Sequence, residues 1–167
     1  MARRRTRMPD DVRARLTLAS GDRVIADAEL TDGWAAASVR RLHVVVDANP
    51  PLSRPWADVD AARLDPETSE LTVTWVDGGE PLILHLADDR ATAFPRALHE
   101  RVQSSVVHTE RVTLAGGAVA RVALRRDADG GLLTQVLGTG RIDLTDPATA
   151  SAIDAAEARV RESAGLS

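Results

Sequence analysis

Cysteine, lysine and tyrosine are all missing from this chain of 167 residues. Without cysteine there is no disulfide, no thiolate nucleophile and no Cys-ligated zinc, and the chain suits a reducing compartment. Without lysine there is no Schiff-base catalyst and no phosphate-cradling P-loop lysine. Every basic residue is arginine, whose codons are GC-rich where lysine codons are AT-rich, so the composition points to a GC-rich genome. Aromatics are nearly as scarce, at 2%. Val, Leu and Ala must therefore fill most of any core, and the three Trp carry unusual weight. No apolar run approaches the ~20 residues that span a bilayer.

What remains is globular in kind. The hydrophobic share is 44% and the charged share 28%, a balance unlike that of disordered chains. A chain of this length normally forms one domain and buries roughly 70% of its unfolded surface, so it needs no covalent staple. The net charge of −4 argues against a polyanion binder, and no specific nucleic acid partner is expected. Only the start is basic. "MARRRTR", with Arg3, Arg4, Arg5 and Arg7, resembles the charged region of a signal peptide, but "MPDDVRA" stands where the apolar region belongs. The expectation is a cytoplasmic protein with a flexible basic tail over residues 1–8. That tail is a candidate for touching an anionic membrane or nucleic acid surface.

Along the chain, "PDDVRARLTLA" predicts a short helix, with Pro9 at its start and Asp10 and Asp11 at the positive end of its dipole. Strand-like runs follow. Arg23–Leu30 alternates, "TDG" turns, and Trp34–Val39 and Leu42–Val46 flank "RR". "DANPPLSRP" reads as a loop, because proline cannot sit inside a central strand. Trp56, Val59 and Leu64 are candidate buried residues. "LTVTWVD" and "PLILHLA" alternate as amphipathic strands. The period then lengthens: Leu98, Val102 and Ser105/Val106 mark a helix, with Pro95 in its first turn. Arg111–Leu114, Val119–Arg126 and Leu132–Leu137 read as three more strands between glycine-rich turns. A last helix has Asp146 as N-cap, Pro147 at its first position, a stripe of Ile153, Ala156 and Val160, and Gly165 past its end.

Strands in hairpin order closed by one helix resemble the pleckstrin-homology-like superfold. "SVRRLHVVV", Ser38–Val46, is similar to the strand of GRAM and bacterial PH-like domains in which Arg41 and Leu42 fall on an Arg-Leu signature. "RPWADVDAARLD" resembles the strand that follows it, with Pro55, Trp56, Asp58 and Val59 on its pattern. The resemblance covers roughly residues 21–108. It implies an α+β, mainly β fold: curved antiparallel sheets or a partly open barrel closed by a helix. Residues 9–108 would form that domain with its short N-terminal helix. Residues 109–167 would add a β-hairpin region and a C-terminal helix to the same globule. It also implies a binding module rather than a catalyst, for lipid head groups, peptides or proteins. The first hairpin of lipid-binding members is basic. Here it reads "DAELTDG", and Asp27, Glu29 and Asp32 argue against a phosphoinositide.

The residues themselves offer few chemical constellations. Ser104 and Ser105 stand near His108, but no "GxSxG" elbow surrounds them, and a helix end that satisfies backbone groups is the simpler reading. His43, His85, His99 and His108 form no HExxH, so no metal or cofactor is expected. Asp88 and Asp89 read as helix caps, and Asp58 and Asp60 as the solvent face of a strand. "AGGA", "DGG" and "GTGR" read as hairpin turns. Arg121 and Arg125 share a strand face, with Arg126 beside them and Arg111 across, and form a candidate stripe for an acidic partner. The leading expectation is a non-enzymatic module that binds a protein or peptide, at an open strand edge or in a groove beside the helix. The alternatives are a small enzyme or ligand-binding barrel with an interior pocket, and an anionic-surface binder acting through the arginine tail. A homo-oligomer remains open.

Overall fold

The structure, a computed structural model, describes residues 7–47, 49–138 and 141–166. The chain divides into two compact units, Met1–Gln103 and Ser104–Ser167. Its sheets are all antiparallel, and strand outweighs helix.

In the first unit, helix α1 (Asp10–Ala14) precedes a four-stranded sheet of β1 (Val24–Leu30), β2 (Gly33–Ser38), β3 (Arg41–Val46) and β4 (Leu52–Pro55), in that spatial order. A 3-10 turn, Trp56–Asp58, leads into a three-stranded sheet of β5 (Val59–Asp65), β6 (Glu70–Trp75) and β7 (Leu82–His85). Helix α2 (Ala93–Ser105) follows, and its last two residues belong to the second unit. Among the described residues the two sheets meet at one isolated bridge, Leu30 to Leu86, so the strands form separate sheets and no closed barrel.

The residue pattern explains this layering. Alternate residues of β6, Leu71, Val73 and Trp75, are buried, while Thr72 and Thr74 between them are only partly so. β2 is different: Ala35, Ala36 and Ala37 are all fully buried. Ala35 and Ala37 face the main core with Leu42, Leu71, Val73, Phe94 and Leu98. Ala36 faces the other side, where Met8 and Leu16 from the α1 segment cover Trp34 and Val45. A strand covered on both faces carries apolar side chains without alternation, and alanine lets both layers approach closely. Gly33 is required by close approach, since a Cβ there would lie 2.0 Å from the Val45 carbonyl oxygen.

Three local expectations are corrected. Leu52–Pro55, read as loop, is strand β4, paired with Val44 to Arg41. Proline is tolerated there because β4 is an edge strand and Pro55 is its last residue. Asp58 lies in the 3-10 turn and not on a strand face. Asp88 does not cap α2: its side chain accepts from the Arg90 N–H at 3.0 Å, and the helix opens only after Thr92, whose carbonyl accepts from Arg96. Pro95 does sit in the first turn, and α2 buries Phe94, Leu98 and Val102.

The second unit is a meander of β8 (Val106–Thr113), β9 (Val119–Arg126) and β10 (Leu132–Gly138), with β9 central, and helix α3 (Pro147–Ser163). Val112, Leu114, Ala120, Val122 and Leu124 bury one sheet face against Ile153, Ala156 and Val160 of α3. Asp146 caps α3 by accepting from the Thr149 N–H at 2.9 Å, and Gly165 follows the helix with φ 75°. Arg159 of α3 bonds the Glu110 carboxylate of β8, from Nε at 2.8 Å, and holds that carboxyl below its ordinary value. His108 lies inside β8. Part of "GTGR", Thr139 and Gly140, and the tail arginines Arg3, Arg4 and Arg5 lie outside the described residues. Among the described residues no helix is long and apolar enough to cross a membrane.

Candidate functional site

The arginine stripe is the first candidate, and the structure breaks it up. Arg121 and Arg125 share a face of β9, as strand periodicity requires. Arg111 is the direct register partner of Arg121, and both are exposed. Arg125 does not join them. It is 2% exposed and donates to Ser105 Oγ from Nε at 3.2 Å and from Nη2 at 2.5 Å. Arg126 is exposed but falls on the opposite face, the one that carries Leu124 and Val122. Ser105 is thus a helix-end residue, as expected, and its hydroxyl serves a buried guanidinium.

The residues that carried the family resemblance converge on one corner of the first unit. Arg41 Nη1 donates to the Ser53 carbonyl at 3.2 Å, tying β3 to β4. Leu42 and Val59 are fully buried, and Trp56 is 4% exposed. The Trp56 indole N–H donates to the Ser38 carbonyl at 3.1 Å. Asp58 accepts from Arg54 Nε at 3.1 Å, and Arg54 Nη2 reaches Asp77 at 2.9 Å while its guanidinium lies 4.2 Å over the Trp75 ring. Asp77 is held below its ordinary value by the Gly79 N–H first and by Arg54 second. Pro55 ends β4 just before the turn. This corner fastens one sheet to the other, so its residues are structural.

A third group has the composition of a catalytic triad. The Ser38 hydroxyl donates to Asp22 Oδ2 at 2.7 Å and accepts from the Arg41 N–H at 2.9 Å. His43 Nε2 lies 3.3 Å from the same oxygen. With the hydroxyl proton on Asp22, the ring nitrogen must be the donor, which leaves Nδ1 as a lone pair. Nδ1 is buried with no hydrogen-bond partner among the described residues. Burial pushes the His43 pKa down and outweighs Asp22, which raises it; Arg41 lowers it further. The order is wrong for nucleophilic chemistry, since Ser38 gives its proton to the acid and not to the imidazole. Ser38 is fully buried and His43 is 1% exposed, so no substrate reaches either. The cluster pins the turn before β1 to the β2–β3 hairpin: Asp22 Oδ1 also accepts from the Arg23 and Arg40 N–H groups, at 2.9 and 3.3 Å.

The fourth feature is open. β1 is an edge strand of its sheet. Its far end is held by Leu86: the Glu29 carbonyl accepts from the Ala87 N–H at 2.9 Å, and the Thr31 N–H donates to the His85 carbonyl at 3.0 Å. Alternate residues of a strand turn their backbone groups the same way. Asp27 therefore faces the same side as Glu29, and among the described residues its outward N–H and C=O have no partner. Beside this edge runs a groove of about 700 Å³. Ile25 to Glu29 of β1 form one wall, and Asp88 and Arg90 to Phe94, at the entrance to α2, form the other, with Arg7 also lining it. In the sequence, Asp27 and Glu29 argue only against lipid. Edge placement depends on which strands pair, and no local pattern reports that.

Among the described residues no group of three or more His, Asp or Glu could hold a metal ion. Comparison with known protein families, with curated proteins and with solved structures finds no match.

Proposed function

We propose that this chain is a non-catalytic binding module of pleckstrin-homology-like architecture, which takes an extended peptide by strand addition along β1. The order of elements in the first unit supports the architecture: four strands, then three, then a helix. The signature residues at the sheet corner support it as well. The observation that carries the binding mode is the outward backbone of Asp27, unpaired among the described residues beside a groove of about 700 Å³. An added strand gains main-chain hydrogen bonds at such an edge, and side-chain pockets select the sequence. The absence of cysteine supports a reducing, cytoplasmic setting.

The test is selection from a random peptide library, followed by binding to an Asp27→Pro variant. Proline at 27 removes the outward N–H while leaving the bonds of Ala28 and Ala26 to β2 in place. Selected peptides should bind the parent chain and lose binding to the variant. Equal binding to both would refute strand addition at β1, and so would a library that yields no binder.

A further inference from the structure

We infer that the outer edge of β8 pairs with the same edge of a second copy of this chain, antiparallel and centred on Thr109. The inference is independent of the reading of β1. β8 is an edge strand of its sheet. The Leu114 N–H donates to the Ala118 carbonyl at 2.7 Å, on the β9 side. The register with β9 runs unbroken from His108 to Thr113. Alternate residues turn their backbone groups the same way, so Val112 and Glu110 also face β9, while Thr113, Arg111 and Thr109 face outward. Among the described residues the outward N–H and C=O groups of those three have no partner. The first four residues of β8, Val106 to Thr109, are all exposed. Two exposed valines, Val106 and Val107, stand side by side there, each 37% exposed. β10, at the other edge of the sheet, is half-buried from Leu132 to Leu137. An exposed strand edge with adjacent apolar side chains is a template for pairing with another chain.

Charge complementarity decides the occupant and the register. In a two-fold antiparallel pair the central residue meets its own copy, and residues equally far to either side meet each other. Centring on Glu110 sets acid on acid, and centring on Arg111 sets base on base, which repel. Between His108 and Arg111, only Thr109 has no ionisable group to set against itself. Centred there, His108 lies directly across from Glu110 of the second copy, and the pair occurs twice. Both side chains leave the same face of the sheet, since their β9 partners Leu124 and Val122 pack together under α3. Arg159 already donates to Glu110. A carboxylate has about four acceptor sites, so an imidazole N–H can fill another. Thr109 adds two main-chain hydrogen bonds on the axis, N–H to carbonyl in each direction. Val106 and Val107 come beside residues 111–112 of the second copy, whose strand covers them. A foreign strand would have to reproduce this alternation, which the chain itself already carries.

The chain has no cysteine, so a single introduced thiol reports the register. Thr109→Cys places the two thiols on the axis, with Cα atoms about 5.5 Å apart, within disulfide reach. Thr113→Cys, four residues from the axis, places them about 27 Å apart. Both positions are exposed. Sedimentation of the parent chain should show dimers that dissociate on dilution. Mild oxidation should crosslink Thr109→Cys and leave Thr113→Cys largely uncrosslinked. His108→Glu sets acid across from acid and should weaken the dimer roughly tenfold, and His108→Arg should tighten it. Circular dichroism checks that each variant folds. A parent chain that stays monomeric at about 1 mM would overturn the inference, and so would equal crosslinking of the two thiols. A His108→Glu dimer as tight as the parent would remove the charge pairing that sets the register, and the inference with it. A monomer that binds a foreign peptide with amide shifts along β8 would make another chain the occupant and overturn it as well.

Discussion

Arg125, buried in the central strand of the second unit, donates twice to the hydroxyl of Ser105 at the last position of α2. A guanidinium out of water depends on its acceptors. Ser105→Ala removes one and should cost about 1–3 kcal/mol, the range for stranding a buried polar group. Ser104, which is exposed, should cost less on the same change. Urea unfolding of the two variants makes the comparison, and a Ser105→Ala cost no larger than that of Ser104→Ala would contradict this account.

Gly33 allows a sharper prediction. A Cβ at this position would lie 2.0 Å from the Val45 carbonyl oxygen and 2.9 Å from the Val46 Cα. Both neighbours are backbone of β3, and neither can swing aside as a side chain would. Gly33→Ala must push β2 from β3 and should cost at least about 1–3 kcal/mol, as overpacking does. Gly78, whose added Cβ would meet nothing within 4 Å, should suffer only from its φ of 73°. Thermal melts that place Gly33→Ala level with the parent would show the strands to be looser than described.

The His43 cluster makes stability depend on pH. Burial lowers the pKa of His43 in the folded chain from 6.5, so the unfolded chain takes up the proton more readily. The contribution is complete above pH 6.5 and is lost as pH falls below it. The carboxylates lowered by their partners, Asp77, Glu110, Asp143 and Asp146, start from 3.8 or 4.5 and act further down. A loss of urea stability that sets in just below pH 6.5 therefore belongs to His43. The variant His43→Leu should flatten the profile in that window. A profile that keeps its slope without His43 would assign the effect elsewhere.

Local patterns carried much of this fold. The alternation of Leu71, Val73 and Trp75 and the stripe of Ile153, Ala156 and Val160 are both periodic in the sequence, and both are buried as their periods require. β4 was hidden because proline rules out a central strand but tolerates an edge, and edge position is not written in four residues. The burial of Arg125 is hidden for a similar reason. Its period placed it on a face with Arg121, but burial depends on what lies above that end of the strand. Asp22 and Ser38 are sixteen residues apart and met only when the β2–β3 hairpin closed. Phe94, fully buried at the start of α2, extends the row of Leu98 and Val102 by one turn, but it stands before Pro95, where the helix start is read in the sequence. The open side of β1 is a property of the sheet as a whole.

Hydrogen exchange at the Asp27 amide tests the central claim most directly. In the free chain this N–H points out of the sheet edge and should exchange readily, while the Ala28 amide, bonded to β2, is protected. Saturating the chain with a peptide chosen for binding should slow exchange at Asp27 strongly and leave Ala28 little changed. A peptide that binds while the Asp27 amide exchanges as fast as before would contradict strand addition along β1.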